Sequence, residues 1–227
     1  MKKRTLLSFP LGKIIFLFLV LSLLLMTFFV SEAFQTLGFG EKTSIALIFA
    51  SLFGSTVNIP VHTMETKEIV KSIDYRSFFN LLYPKTEEEY RINKTTIAIN
   101  LGGALVPVSI CVFLFLNHVT LWWQFGIGIG TMTFISYLLA RPIAGVGITM
   151  PTLLPPILAA VIGLVLPGSP ATVLAYVSGV LGVIIGADLL NLREISKYRT
   201  EMLSIGGAGT FDGIFLTGIV SVLLAAW

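Results

Sequence analysis

The stretch "SIGGAGTFDGIFLTGIVSVLLAAW" (residues 204–227) has the apolar length of a membrane-crossing helix and an acidic residue near its start. A hydrocarbon core about 30 Å thick needs roughly 20 apolar residues of helix. Gly206, Gly207 and Gly209 precede Asp212, and glycine disfavours regular helix. The stretch therefore predicts a spanning helix that begins irregularly and carries a carboxyl group near its start.

The composition of the whole chain extends this prediction. Hydrophobic residues make up 55% of the 227 residues and charged residues only 12%, whereas soluble domains carry about 25% charged residues. We expect an all-α membrane protein with residues 1–227 in a single transmembrane domain. Seven stretches of the sequence are candidate spans, at approximately 14–31, 43–60, 97–116, 120–140, 146–166, 171–191 and 204–226.

Two of these spans have features of their own. The first resembles a signal peptide, with a basic start and small residues at Ser31–Ala33, but its apolar run Ile14–Val30 is longer than the usual 7–15 residues. We therefore expect a retained helix; cleavage would leave six spans. The fifth begins with the proline-rich "MPTLLPPI" (residues 150–157), which predicts a broken first turn.

The basic residues predict the orientation in the membrane. Of the 15 Lys and Arg residues, all except Lys42 lie on one side if the N-terminus is cytoplasmic. Because cytoplasmic loops carry the excess of Lys and Arg, we predict a multi-pass protein of the plasma (inner) membrane, N-in and C-out. This bias follows from topology and does not argue for nucleic-acid binding. The bilayer is the expected partner, and the oligomeric state is open.

The loop at residues 61–95, between the second and third spans, is the only sizeable polar insertion. Its flanks "VNIPVHTMET" (residues 57–66) and "YRINKTTIAI" (residues 90–99) alternate polar and β-branched residues, a pattern typical of strands. We predict a small cytoplasmic β-hairpin, with a helical turn near "SFFNLLYP" (residues 77–84).

Two carboxylates are the candidate catalytic residues. Of the 12 acidic residues, only Asp188 and Asp212 fall within the predicted spans, and an ionisable residue inside a membrane is a functional-site candidate. Both lie near the predicted cytoplasmic ends of consecutive antiparallel spans. Small residues recur every four positions in both spans, at Ser178, Gly182 and Gly186 and again from Gly209 onward. If these two stripes face each other, both carboxyls line one cleft.

Other polar or flexible residues gather at the same predicted end of the bundle. Asn58 ends the second span, Asn100 begins the third, and Asn191 follows Asp188 by three positions. These asparagines, with Gly206, Gly207 and Gly209, are the predicted supporting residues. His62 and His118 fall on opposite sides, so we predict no metal site, and no motif indicates a cofactor.

Four segments carry a resemblance to a known family. "NIPV" (residues 58–61), "NLGGALVP" (100–107), "GADLLNL" (186–192) and "SIGGAGTFDGIFLTGI" (204–219) resemble the signature segments of a prokaryotic family of polytopic membrane proteins. That family is described only as a domain of unknown function. The resemblance covers most of the chain after the first span and implies a membrane location without an established activity.

A second resemblance concerns the two aspartates alone. Presenilins and signal peptide peptidases carry one catalytic aspartate in a sixth helix and another in a Gly-x-Gly-Asp motif opening a seventh. Asp188 and Asp212 are similarly placed, which implies a diaspartyl site. This sequence departs from that pattern: it has "GTFD" at residues 209–212, and Ala187 stands where those proteins have tyrosine. No Pro-Ala-Leu motif follows Asp212.

Three functions fit these observations. The two carboxylates could act as general acid and base of an intramembrane aspartyl protease on a membrane-protein substrate. Broken helices with Asp and Asn could instead form the ion site of a proton- or cation-coupled transporter or channel. In a non-catalytic assembly or anchoring protein, which the sequence slightly favours, Thr210 or Asp212 would cap the last helix. Asp188 would then pair with Arg141 or Arg193, or hydrogen-bond the glycine loop.

Overall fold

The structure, a computed structural model, describes residues 11–74, 85–143, 147–167, 170–195, 202–207 and 212–227. Helices dominate it. Its α-helices are α1 (Leu11–Thr36), α2 (Glu41–Gly54), α3 (Val106–Asn117), α4 (Trp122–Leu139), α5 (Leu154–Val165), α6 (Ala171–Val183), the short α7 (Leu192–Ile195) and α8 (Gly213–Ala225). Two π-helical segments, Leu101–Leu105 and Ile184–Leu189, join α3 at its start and α6 at its end, and a 3-10 turn, Val119–Leu121, precedes α4.

Five strands form two small sheets. Strands β1 (Asn58–Asp74) and β2 (Lys85–Asn100) pair antiparallel, which confirms the predicted hairpin, and β5 (Met202–Ile205) joins β2 in parallel. The second sheet pairs β3 (Arg141–Ile143) with β4 (Gly147–Thr149). The predicted helical turn at residues 77–84 lies outside the described residues. The hairpin extends beyond residues 61–95 at both ends, and the extra strand residues shorten the second and third predicted spans.

The number of spanning helices differs from the prediction. Among the described residues, Ile14–Thr36 and Ala171–Leu189 are long and apolar enough to cross a membrane, in place of seven such helices. Helices Leu101–Asn117 and Val119–Leu139 meet at 98° and would count as a third span if taken together. Helices α5 and α8 are apolar but shorter. These helices are consistent with a membrane protein.

The boundaries of the fifth and seventh predicted spans were too wide at their starts. The fifth span begins as strand β4, and its helix starts only at Leu154 with Pro155 and Pro156 in the first turn, as expected for residues without a backbone N–H. The seventh begins as strand β5 and its helix starts at Gly213. Asp212 therefore lies immediately before the helix and not within it.

Helix α6 is the centre of the bundle and packs against α3, α4, α5 and α8. The predicted facing of two small-residue stripes was wrong. Gly182 and Gly186 face α4, where an added Cβ would lie 2.5 Å from Met132 Cβ and 2.2 Å from the Thr133 carbonyl oxygen. Helix α8 instead approaches Gly179, which contacts Thr217. Small residues occur on more than one face of α6, so spacing alone could not identify the partner.

Candidate functional site

Asp188 and Asp212 reach the same region of the molecule from two different elements. Asp188 lies in the π-helical segment that ends α6, where the wider helical turn interrupts regular α-helix. Asp212 occupies the N-cap position of α8 with an extended backbone. Both side chains are partly buried, and both line the same two cavities. The structure thus brings the two predicted catalytic residues together.

One cavity of about 310 Å³, here called the aspartate cavity, joins the two carboxyls to the sheets. Its walls are Asp188, Asp212, Gly147, Ile148 and residues 202–207. A second cavity of about 240 Å³ shares Ile148 and both aspartates with it and extends toward the broken start of α5. Both cavities are lined by polar and by apolar residues, so they can hold water and a polar backbone.

The Asp212 carboxyl stands at the cap position of α8, and its two oxygens differ. The backbone N–H groups of Gly213 and Ile214 lie near enough to interact with the carboxyl, but none makes a hydrogen bond of cap geometry with it. The Oδ2 atom is buried without a hydrogen-bond partner among the described residues. A buried carboxylate oxygen without a partner is costly, so it needs another explanation than capping.

No ion pair joins either aspartate to a lysine or arginine side chain in the part of the chain that the structure describes. The ion pair found there joins Lys94 and Glu65 across the hairpin, with Nζ and Oε1 2.9 Å apart. Arg141 lies in β3, and the Arg193 side chain is outside the described part. Within that part, no three His, Cys, Asp or Glu side chains are grouped so that they could hold a metal ion.

Asn58 and Asn100, two of the predicted supporting residues, are joined by hydrogen bonds beside the cavity. The Asn100 side chain is fully buried and donates to the Ser55 carbonyl oxygen at 2.7 Å and to Asn58 Oδ1 at 3.0 Å. Its Oδ1 accepts from the Gly103 N–H at 2.8 Å, and Ser204 Oγ donates to Asn58 Oδ1. These bonds form a polar clasp that fixes β5 to the hairpin and to the start of α3. The asparagines position a wall of the cavity and do not line it.

Of the other predicted supporting residues, Gly206 and Gly207 line the aspartate cavity and Asn191 does not. Asn191 donates to the Gly186 and Ala187 carbonyl oxygens at 3.1 and 3.0 Å, and so satisfies the end of the π-helical segment that carries Asp188. Gly206 and Gly207 form the turn after β5 and line the cavity. Gly206 has φ +71°, and a Cβ there would lie 2.7 Å from the Ala104 nitrogen, so glycine is required. Gly209 lies outside the described residues.

Beyond Asp188, toward the middle of the bundle, the helices pack closely. An added Cβ at Gly186 would meet the Thr133 carbonyl oxygen at 2.2 Å, and one at Gly182 would meet Met132 Cβ at 2.5 Å. Val180 and Val183 are also buried there. The site is therefore reached from the end of the bundle that carries the sheets.

Sequence reasoning missed the strands that line the cavity. Strand β5 consists of only "MLSI", which is too short for a recognisable alternation, and its partner β2 is about a hundred residues away in sequence. Gly147 and Ile148 of β4 were placed in a helix. The sequence did carry one local signal, the prolines that delay α5. The positive φ of Gly147 is visible only in the structure.

Comparison with known proteins identifies a family. The profile of a family described as "Protein of unknown function (DUF1614)" matches residues 52–224, which is most of the chain. This confirms the expected likeness to an uncharacterised family. No curated protein and no solved structure matches the chain.

Proposed function

Since the chain belongs to this family of proteins of unknown function, we infer its activity from the site and propose that it is an intramembrane aspartyl protease. The observation that carries the proposal is that Asp188 and Asp212 line one cavity of about 310 Å³. Neither carboxyl has a basic partner among the described residues, and Asp212 Oδ2 is buried there without a hydrogen-bond partner. This favours chemistry over a structural role for the pair.

Two neighbouring carboxyls can hydrolyse a peptide bond with one water molecule. Close like charges disfavour double ionisation, so the pair holds one proton. The ionised carboxyl takes a proton from water as the new C–O bond forms, and the other carboxyl protonates the carbonyl oxygen. Collapse of the resulting diol breaks the C–N bond, and the amine leaves with a proton from the pair. The pair regains one proton from the diol hydroxyl and returns to its starting state.

The access to the site supports hydrolysis over transport. A transporter needs a path from its ion site to the opposite side of the membrane, usually from near the midplane. The close packing of α6 on α4 closes that side of the site, and the two cavities that contain the carboxyls are lined no deeper in α6 than Val183. By the distribution of basic residues, this end is the cytoplasmic one.

The proposal is tested with a reporter protein anchored by a single membrane helix and reconstituted with the purified chain. Asp188→Asn and Asp212→Asn should each lower the cleavage rate by at least about 100-fold, the contribution typical of general acid–base catalysis. Glu65→Gln is the matched control, because its carboxyl is exposed and lies outside the cavity. It should cleave like the wild type.

Two results would overturn this function. One is cleavage that persists in either aspartate variant while thermal unfolding shows both to be folded. The other is flux of protons or cations through liposomes that requires both aspartates, in the absence of reporter cleavage; it would assign the site to a transporter.

A further inference from the structure

Two strands beside the aspartates have an edge without a strand partner among the described residues. Strand β5 is the last strand in the order β1-β2-β5, and β4 pairs only with β3. Besides the hydrogen bonds that pair the strands, one backbone hydrogen bond is found at these edges among the described residues. In it the Gly207 N–H donates to the Ser204 carbonyl oxygen. Open edges present unpaired N–H and C=O groups and readily accept a further strand.

The edges of both strands border the aspartate cavity. Successive residues of a strand point to opposite faces, so a cavity against one face contacts alternate residues. The aspartate cavity contacts all four residues of Met202–Ile205, and it contacts the consecutive residues Gly147 and Ile148 of β4. Contact with consecutive residues is expected where a cavity runs along the backbone edge of a strand.

We propose that the aspartate cavity binds a peptide segment in extended form, as a strand hydrogen-bonded on one side to β5 and on the other to β4. The identity of this segment as the substrate rests on the proposed proteolytic function. The strand would cross the cavity beside Asp188 and Asp212, because both carboxyls line the same space as the two edges.

This mode of binding answers a physical requirement of the proposed substrate. The peptide bonds of a membrane helix are hydrogen-bonded within the helix, and unwinding exposes N–H and C=O groups that need new partners in an apolar setting. Two strand edges supply partners to alternate residues of the segment, as in recognition by strand addition. At Gly147 nothing lies within 4 Å of where a Cβ would stand, so this glycine leaves room for a backbone at the cavity wall.

The experiment measures docking without hydrolysis, in the Asp188→Asn variant of the full chain. Met202, which is 51% exposed, is replaced by cysteine, and the probe is acetyl-Thr-Val-Thr-Val-Thr-Val-amide with a thiol linker. The equilibrium yield of the mixed disulfide at a fixed reductant concentration reports non-covalent docking of the tethered peptide. Val165→Cys, at a site 73% exposed at the far end of α5, is the control for tethering without docking. Cys111 is buried and stays in place.

N-methylation of the probe, one residue at a time, distinguishes the modes of binding. A strand held on both sides uses the N–H of consecutive residues, so each of the central methyl groups should lower tethering by about fivefold, the effect of one lost hydrogen bond. Sensitivity at alternate positions only would mean one strand edge and would overturn the proposal. Equal yields for all probes, or for Met202→Cys and Val165→Cys, would overturn it too.

A second cysteine variant tests the proposal if Met202→Cys fails to fold. Ile148→Cys places the thiol on β4, on the other side of the cavity, and the same pattern of sensitive positions is expected. Docking in the inactive variant is independent of cleavage. Position-dependent docking without reporter cleavage would refute only the protease, whereas cleavage without that pattern would refute only the strand-binding mode.

Discussion

The carboxyl of Asp212 stands at the N-cap position of α8, and one of its oxygens, Oδ2, is buried without a hydrogen-bond partner among the described residues. A charged oxygen in such a place destabilises the fold, because burial removes its hydration and supplies no hydrogen bond in return.

Asp212→Asn should remove this destabilisation, because asparagine has no charge to desolvate and is as good an N-cap residue. We expect the variant to melt at a higher temperature than the wild type at neutral pH, and thermal unfolding in detergent measures the difference. A variant less stable than the wild type would mean that Asp212 stabilises the fold as an ordinary cap.

The residues of the site were predictable to different degrees. Asp188 and Asp212 could be found because the other acidic residues lie outside the predicted apolar spans. Asn58 and Asn100 could be found as polar residues at the same end, but not their role, because the amide bonds of Asn100 connect residues 42 to 45 positions apart. Long-range hydrogen bonds of this kind leave no local pattern in a sequence.

At the scale of secondary-structure elements, the polar clasp around Asn100 holds α2, the hairpin and the start of α3 together. Asn100→Ala would leave the Gly103 N–H and the Ser55 carbonyl oxygen without their Asn100 partner. Because each unsatisfied buried group costs about 1–3 kcal/mol, we expect a loss of about 3 kcal/mol in the free energy of unfolding.

The same variant should also loosen β5. Asn58, which Asn100 holds in place, accepts a hydrogen bond from the Ser204 hydroxyl of that strand. Hydrogen exchange followed by mass spectrometry should show faster exchange in residues 202–205 and around Gly103. Asn117→Ala is the control, because its amide donates only to the Phe113 carbonyl oxygen at an exposed helix end. Unchanged exchange in β5, with the expected loss of stability, would mean that the clasp does not hold that strand.

The elements themselves were predicted best where the pattern is long. The hairpin strands of 17 and 16 residues and the central helix α6 were found, since their periodicity or apolar length extends over many positions. Strands β3, β4 and β5 have three or four residues each, so apolar length placed β4 and β5 in helices. These short strands form walls of the cavity, so its binding surface was not predicted.

At the scale of the whole molecule, the lengths of the helices set the depth of the site. Helix α8 has 13 residues and is about 20 Å long, whereas the hydrocarbon core is about 30 Å thick. If Trp227 lies at the outer interface, as aromatic residues do, Asp212 lies about 10 Å below the opposite interface. The aspartate cavity would then carry water from that face into the depth of the bilayer.

This arrangement predicts which positions react from each side of the membrane. Trp227→Cys should be labelled by a membrane-impermeant maleimide in intact cells, because Trp227 is fully exposed and α8 separates it from the cavity. Met202→Cys should be labelled only after the cytoplasmic side is opened. Buried Cys111 should remain unlabelled in both variants. Labelling of Met202→Cys and Trp227→Cys from the same side would mean that α8 does not cross the bilayer, and would place the two aspartates at its surface and not within it.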